Sequence, residues 1–282
     1  MLVSVYMPTK NRVSLLRRAV DSVLKQTHTS IELLIVNDGS SDGTFDYLEA
    51  LRVQESRVNV IHNSVSLGAP QSRNLAIRTA SGEFVTGLDD DDRFHPDRIS
   101  ALLRYWEELD RAGERFSCLF TQEIYENGAV QAVSSKWSAV GWSDLFFFNG
   151  IGNQIFARRQ AFLDAGLFDA EMPAWQDLDL FIRILQAGGP AKLLDAELYI
   201  TNMDPRTDRI SVGSKKRLLN AYRRLAAKWS ECPEVMLQGL YLQRFGRLYG
   251  YKPTIGDLVE FFRFGLHLRT LKSLAGVYLC RS

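Results

Sequence analysis

At 282 residues, with 46% hydrophobic and 24% charged content, the chain has material for one large soluble domain with a C-terminal appendage. No stretch reaches the roughly 18 to 20 apolar residues of a membrane span. The three cysteines, Cys118, Cys232 and Cys280, lie far apart with no CxxC pair, which argues against a disulfide framework or a zinc site and fits a reducing compartment. The net charge of +1 hides an asymmetry: residues 205–282 hold fifteen Lys and Arg against five Asp and Glu, a balance of +10 that leaves −9 for residues 1–204.

Residues 2–7 read as a strand that begins directly after Met1, so no signal peptide is expected and the expected compartment is the cytoplasm. Residues 13–24 follow with helical spacing at Val13, Leu16, Val20, Val23 and Leu24. A second apolar run, 31–36, leads into Asn37-Asp38-Gly39-Ser40-Ser41-Asp42-Gly43-Thr44, which cannot be regular structure. A helix over 44–51, a strand over 58–61, a helix over 70–80 and a strand over 83–88 complete the series. This alternation with short connections predicts an α/β fold with a mostly parallel sheet covered on both faces. Ligands of such sheets bind beyond the carboxyl ends of the strands, so segments 8–12, 37–44 and 89–92 should share one crevice. Residues 116–155 lose the rhythm and hold Trp137, Trp142 and Phe146-Phe147-Phe148 among Ser and Gly. A helix over 177–185 and a strand over 192–200 follow, and after Asp204-Pro205 the chain reads as all helical.

Chemistry concentrates at Asp89-Asp90-Asp91-Asp92, four carboxylates directly after a strand. Such a run is costly unless a cation sits among the charges; a solvated acidic turn is the alternative. Asp38, in a Gly- and Ser-rich loop, is either an ordinary Asx turn or an acceptor for the N3–H of a uracil ring, which cytosine lacks. Arg73 stands in the first turn of a helix, where it either reaches a base or phosphate or is simply solvated. Asp177, next to Trp175 and Gln176, is either a helix cap or a general base for an acceptor hydroxyl. There is no P-loop, no G-x-G-x-x-G in the first βα turn, no zinc spacing among the four histidines and no G-x-S-x-G elbow.

Together, Pro8-Thr9-Lys10-Asn11-Arg12, the 37–44 block, Asn63 with Gly68, Arg73 and Asn74, then Gly82, the 89–92 box, Gly166-Leu167-Phe168-Asp169 and Trp175-Gln176-Asp177 resemble the family 2 glycosyltransferases, over roughly residues 1–200. The resemblance implies a GT-A fold over 1–204 with a basic helical extension over 205–282. It also implies an inverting transfer of a hexose or N-acetylhexosamine from a UDP-sugar to a lipid-linked glycan, such as a lipopolysaccharide core or O-antigen unit, with a β-linked product. By position, Pro8, Thr9, Asn11, Arg12, Asp38, Arg73, Asp89 and Asp90 would hold the nucleotide, with Thr9, Asp38 and Arg73 at the uridine. Asp89 and Asp91 would form a D-x-D element for Mn²⁺ or Mg²⁺, with Asp91 in direct contact. Asp177 would be the base, and Trp142, Trp175 and Gln176 would meet the acceptor. Lys10 replaces the usual aromatic residue, and Gln176 stands where Glu is frequent.

Residues 254–281 mix Leu258, Val259, Phe261, Phe262, Phe264, Leu266, Leu268, Leu271 and Leu274 with Arg263, Arg269 and Lys272. They form either a helix lying in the interface of an anionic membrane, which would place the enzyme on its inner face, or a core-packing helix with a basic outer side. No nucleic-acid partner is expected. Two other classes fit less of the pattern: a sugar-nucleotide pyrophosphorylase, which would want glycines after the first strand, and a non-catalytic nucleotide- or sugar-binding module.

Overall fold

The alternating apolar runs condense, in the computed structural model, into one mixed sheet; residues 1–128, 130–204, 214–246 and 249–279 are described. The first half follows the expected series: β1 (Val3–Thr9), α1 (Val13–Leu24), β2 (Ile31–Asn37), α2 (Thr44–Gln54), β3 (Val58–His62), α3 (Ala69–Thr79) and β4 (Phe84–Gly87). It continues through β5 (Arg93–Phe94), α4 (Arg98–Arg111), β6 (Cys118–Asn127), β7 (Val130–Val133), β8 (Ala139–Val140), β9 (Phe156–Arg158), α5 (Arg159–Asp164), α6 (Gln176–Gly188) and β10 (Ala191–Asn202). The tail forms α7 (Lys215–Lys228), α8 (Glu234–Gln243), α9 (Ile255–Phe262) and α10 (Leu268–Leu279); the part of the helical expectation that covers 205–213 lies outside the described residues.

The strand order is β3-β2-β1-β4-β9-β6-β10-β5, with β7 beside β6 and β8 beside β10. The pairs among β1 to β4 are parallel, as is β6 with β10, whereas β9 runs antiparallel to both β4 and β6. β2 is buried at every position, as a strand covered on both faces requires. Leu16, Val20 and Val23 of α1 pack with Val3, Val5, Leu33 and Ile99 on one face, while Ala76 and Ile77 of α3 pack with Tyr6, Leu34 and Phe181 on the other.

The irregular middle contains the largest departure from expectation. β6 is ten residues long and inserts into the sheet between β9 and β10. Its sequence hides it, because Thr121, Gln122 and Glu123 are buried polar residues where a core strand should be apolar. Each has a partner: Arg98 Nη1 donates to Thr121 Oγ1 at 2.5 Å, Gln122 Nε2 to Asp195 Oδ1 at 2.9 Å, and Lys136 Nζ to Glu123 Oε1 at 2.6 Å.

The helical tail shares the larger core cluster with the sheet: Leu218, Leu225, Leu240, Phe245, Phe261 and Leu274 belong with Phe146, Phe162 and Leu185. Its basic residues meet the acidic front directly. Lys228 pairs with Asp169 and Asp179, both at 2.8 Å, Arg224 with Asp169 at 3.0 Å, and Arg269 with Asp144 at 3.4 Å. Part of the charge asymmetry is therefore consumed inside the chain.

Candidate active site

Because β1, β2 and β4 are parallel neighbours, the polar segments after them meet at one sheet edge. The Asp38 N–H donates to the Thr9 carbonyl at 2.9 Å. Thr9 Oγ1 donates to Asp90 Oδ2 at 2.7 Å and Arg12 Nη1 to Asp90 Oδ1 at 3.0 Å. Asn11, at φ 54°, accepts the Ser41 N–H at 2.7 Å, and Pro8 lies in register with Val36. Gly87, just before the aspartates, has to be glycine: a Cβ there would collide with Gln154 and the Tyr6 ring.

The four aspartates divide by role. Asp90 turns inward, and burial pushes its carboxyl up to about 6 although Arg12 and Thr9 pull it down. Oxygens of Asp89, Asp91 and Asp92 lie within 4.8 Å of one another. Asp92 is buried, accepts from Tyr199 Oη at 2.8 Å and from the Asn202 N–H at 2.9 Å, and titrates well above the ordinary range through burial and the charges of Asp91 and Asp89. An oxygen-only set of three carboxylates, with Arg73 on Asp89 as its close ion pair, suits a hard divalent cation. Arg12 also reaches Asp91, at 3.8 Å.

Asp89 is tied to the far side of the crevice. Arg73 Nη2 and Gln154 Nε2 donate to its Oδ1 at 3.1 and 3.2 Å, and Asn153 Nδ2 to its Oδ2 at 2.9 Å. Arg73 Nη1 donates to Gln176 Oε1 at 3.3 Å, while Gln176 Nε2 donates to the Met172 carbonyl at 3.1 Å. Arg73 therefore bridges the aspartate turn and the start of α6, and its guanidinium also lies 5.4 Å from the Phe168 ring.

Asp177 is the second residue of α6 and half-buried. Burial raises its pKa, against the pull of the helix-terminal N–H groups and Arg73, and the charge on Asp89 adds to the rise. The side-chain donor facing it is Asn149 Nδ2, at a long 3.4 Å. The helix is entered through Trp175, a left-handed residue at φ 58° whose indole N–H donates to Tyr249 Oη at 2.8 Å. Non-glycine residues in this region carry strain, which the Tyr249 bond helps to hold.

Asp38 is treated in the opposite way. Its carboxylate accepts from Asn63 Nδ2 at 2.8 Å, Ser66 Oγ at 2.7 Å, Ser72 Oγ at 3.1 Å and the N–H groups of Leu67 and Gly68 at 2.8 and 2.9 Å. Burial alone would raise its pKa; these donors instead bring it from 3.8 to about 2. In this state the carboxylate is occupied by the 63–68 loop.

Of the thirteen residues expected at the site, the structure brings Pro8, Thr9, Asn11, Arg12, Asp38, Arg73, Asp89, Asp90, Asp91, Gln176 and Asp177 to one crevice with Trp175 at its edge. The remaining residue of the acceptor expectation, Trp142, stacks on Trp229 with centroids 5.7 Å apart and meets Phe146 edge-on, an arrangement that seats α7 on the sheet domain. The sequence reading names Asp92 in the acidic run without giving it a role, and it passes over Tyr249 and the amide-rich loop Asn149, Asn153 and Gln154. Three amides within six residues, between the glycines of an otherwise aromatic stretch, were the available signal.

Comparisons with known proteins bear on the family and the fold. The family model described as glycosyl transferase family 2 matches residues 4–149. The chain is 36% identical over 203 residues to the putative colanic acid biosynthesis glycosyl transferase WcaA of Escherichia coli (strain K12), covering 69% of this chain and 70% of that one. Among solved structures, S. aureus TarS 1–349 in complex with UDP-GlcNAc superposes with a TM-score of 0.68 at 19% identity, over 98% of this chain and 79% of that one. The mannosyltransferase PcManGT of Pyrobaculum calidifontis, in complex with GDP-Man and Mn²⁺, gives 0.58 at 16% identity, over 98% and 84%. These two likenesses show the fold: a sheet flanked by helices in the GT-A manner.

Proposed function

This chain belongs to glycosyl transferase family 2, and on that premise we propose that it moves a hexose or N-acetylhexosamine from a UDP-sugar to a hydroxyl of a lipid-linked glycan with inversion at the anomeric carbon. The observation that carries the reading is the bridge Asp89–Arg73–Gln176, which sets a carboxylate cluster suited to a diphosphate-bound cation beside a separate, lightly hydrogen-bonded carboxylate, Asp177. The bound UDP-GlcNAc of TarS and the Mn²⁺ of the mannosyltransferase support the donor and metal readings by likeness.

Asp89, Asp91 and Asp92 would hold Mn²⁺ or Mg²⁺, which when bound supplies positive charge to the departing diphosphate. Asp90 serves the same turn by anchoring it to Thr9 and Arg12. Asn149, Asn153 and Gln154 line the path between the turn and Asp177, where the hydroxyls of the transferred sugar would lie. Asp177 takes the proton of the acceptor hydroxyl as that oxygen attacks the anomeric carbon from the face opposite the nucleotide; an α-linked donor gives a β-linked product. Asp38 shapes the uridine end by holding the 63–68 loop.

The acceptor class is a lipid-linked glycan, with a lipopolysaccharide core or O-antigen unit as one member; the Escherichia coli relative, described for colanic acid biosynthesis, widens that class to other polysaccharides. Among the described residues no helix is long and apolar enough to cross a membrane, so a position on the inner membrane surface would rest on surface contact. A thermal-shift panel of UDP, GDP, dTDP, CDP and CMP, each with Mn²⁺ and again with EDTA, tests the donor reading. Stabilisation by UDP that EDTA abolishes is the expected result. Silence across the panel would point to a module with no nucleotide chemistry.

A further inference from the structure

Helix α9 has two apolar faces. Leu258, Phe261 and, just beyond it, Phe264 pack inward against the main core. Ile255, Val259 and Phe262 recur at helical spacing on the other side and are 83, 56 and 44% exposed, and Leu266, in the turn after the helix, is 76% exposed. Leu268, at the start of α10, is exposed as well. A soluble helix that packs one face normally presents charge on the other, so a second apolar stripe calls for an occupant.

The surroundings indicate which. Lys252, Arg263, Arg269 and Lys272 are exposed around the stripe. Of the acids nearby, Asp257 is consumed by the α9 cap and by Lys215 and Arg244, Glu260 pairs with Arg263 and Asp144 with Arg269, so among the described residues Lys252 and Lys272 carry the cationic excess. An apolar strip rimmed by a cationic excess matches the headgroup boundary of an anionic bilayer. The site also lies close to the chemistry. Tyr249, whose hydroxyl holds the Trp175 indole beside Asp177, is six residues before Ile255, a span of at most about 22 Å even if fully extended.

We propose that the outer face of α9, with Leu266, Leu268 and the flanking Lys252 and Lys272, docks on an anionic lipid bilayer and holds Asp177 within reach of an acceptor at the membrane surface. The inference deepens the lipid-linked acceptor reading and rests on it for its purpose, while the docking itself is measured without any acceptor.

The experiment is sedimentation of the full chain with phosphatidylcholine vesicles, with and without roughly 30 mol% phosphatidylglycerol. Wild type, V259D/F262D and K252E/K272E are compared, each with its thermal midpoint and its UDP–Mn²⁺ shift. Wild type should prefer the anionic vesicles by about tenfold, V259D/F262D should lose binding to both by about tenfold or more, and K252E/K272E should lose only the anionic preference. The substituted side chains are exposed, so midpoints and UDP shifts should match wild type. Absence of wild-type binding to anionic vesicles, or undiminished binding by V259D/F262D, would overturn the proposal while leaving the transferase reading intact. So would a dimer in light scattering that the same substitutions dissolve, because the stripe would then be a contact between copies. Loss of the UDP response in wild type with vesicle binding retained would instead strike the donor reading.

Discussion

The two ends of the crevice handle a single carboxylate in opposite ways. At the end proposed for the uridine, Asp38 receives five donors and is held at a pKa of about 2, charged and structurally committed. At the opposite end Asp177 faces one long side-chain bond, lies against Asp89's charge and is raised by burial. From sequence alone Asp38 reads as an Asx turn or a uracil acceptor and Asp177 as a helix cap or a general base. The difference teaches that enough directed donors outweigh burial and make a carboxylate a fixed strut, whereas with fewer of them burial prevails and leaves a group able to accept a proton.

Replacing Asp177 by Asn breaks the reactive end most severely. Transfer should fall by about 10³-fold, within the range of a lost general base, with little change in UDP affinity. Asp91→Asn, or EDTA on wild type, should lower UDP affinity by about 10²-fold, because the cluster would lose its cation; calorimetry reads this directly.

Asp38→Ala attacks the fixed end and should cost about 3 kcal/mol of stability, since several buried donors lose a charged acceptor. The pH dependence sharpens the contrast. Asp38 has a folded pKa depressed from 3.8 to about 2, so its stabilisation is present above about pH 4 and disappears as pH falls through about 2. Acid unfolding of wild type and D38A should therefore converge towards pH 2. Asp177 is raised, so the base form needed for transfer should be lost on acidification at a higher pH than an ordinary aspartate would show, visible as a falling acid limb in the rate profile. The smallest effect belongs to Tyr249→Phe, which removes the acceptor of the Trp175 indole N–H. It should lower turnover about fivefold, an energy near 1 kcal/mol, without moving UDP affinity.

The β-α series of the first ninety residues was legible because its strands are uniformly apolar and their turns rich in Gly, Asn and Asp. α4 carries helical spacing at Ile99, Leu102, Leu103 and Trp106 and was readable in principle, though the chain-order reading passes over it. β6 was not, since its buried Thr121, Gln122 and Glu123 resemble a surface segment until Arg98, Asp195 and Lys136 are placed beside them. In the site, position at strand ends pointed to the segments 8–12, 37–44 and 89–92, and the family resemblance singled out Thr9 and Arg12 within them. Sequence could not reveal that Asp38 is saturated by a loop some thirty residues away, or that Tyr249 from the tail props the entry to α6. Contacts so distant along the chain leave no local pattern. The charge excess of 205–282 does not reveal where it is spent: α7 spends part of it on Asp169 and Asp179, and the anionic-membrane reading of 254–281 concerns α9 and α10.

The most direct test of the division between a donor-holding turn and a separate base is a calorimetric titration of UDP into wild type and Asp177→Asn, each in Mn²⁺ and in EDTA, alongside transfer assays on the same preparations. Equal Mn²⁺-dependent binding in both proteins, with transfer lost only in the variant, is the predicted result. UDP binding that disappears with Asp177, or that persists undiminished in EDTA, would contradict the account.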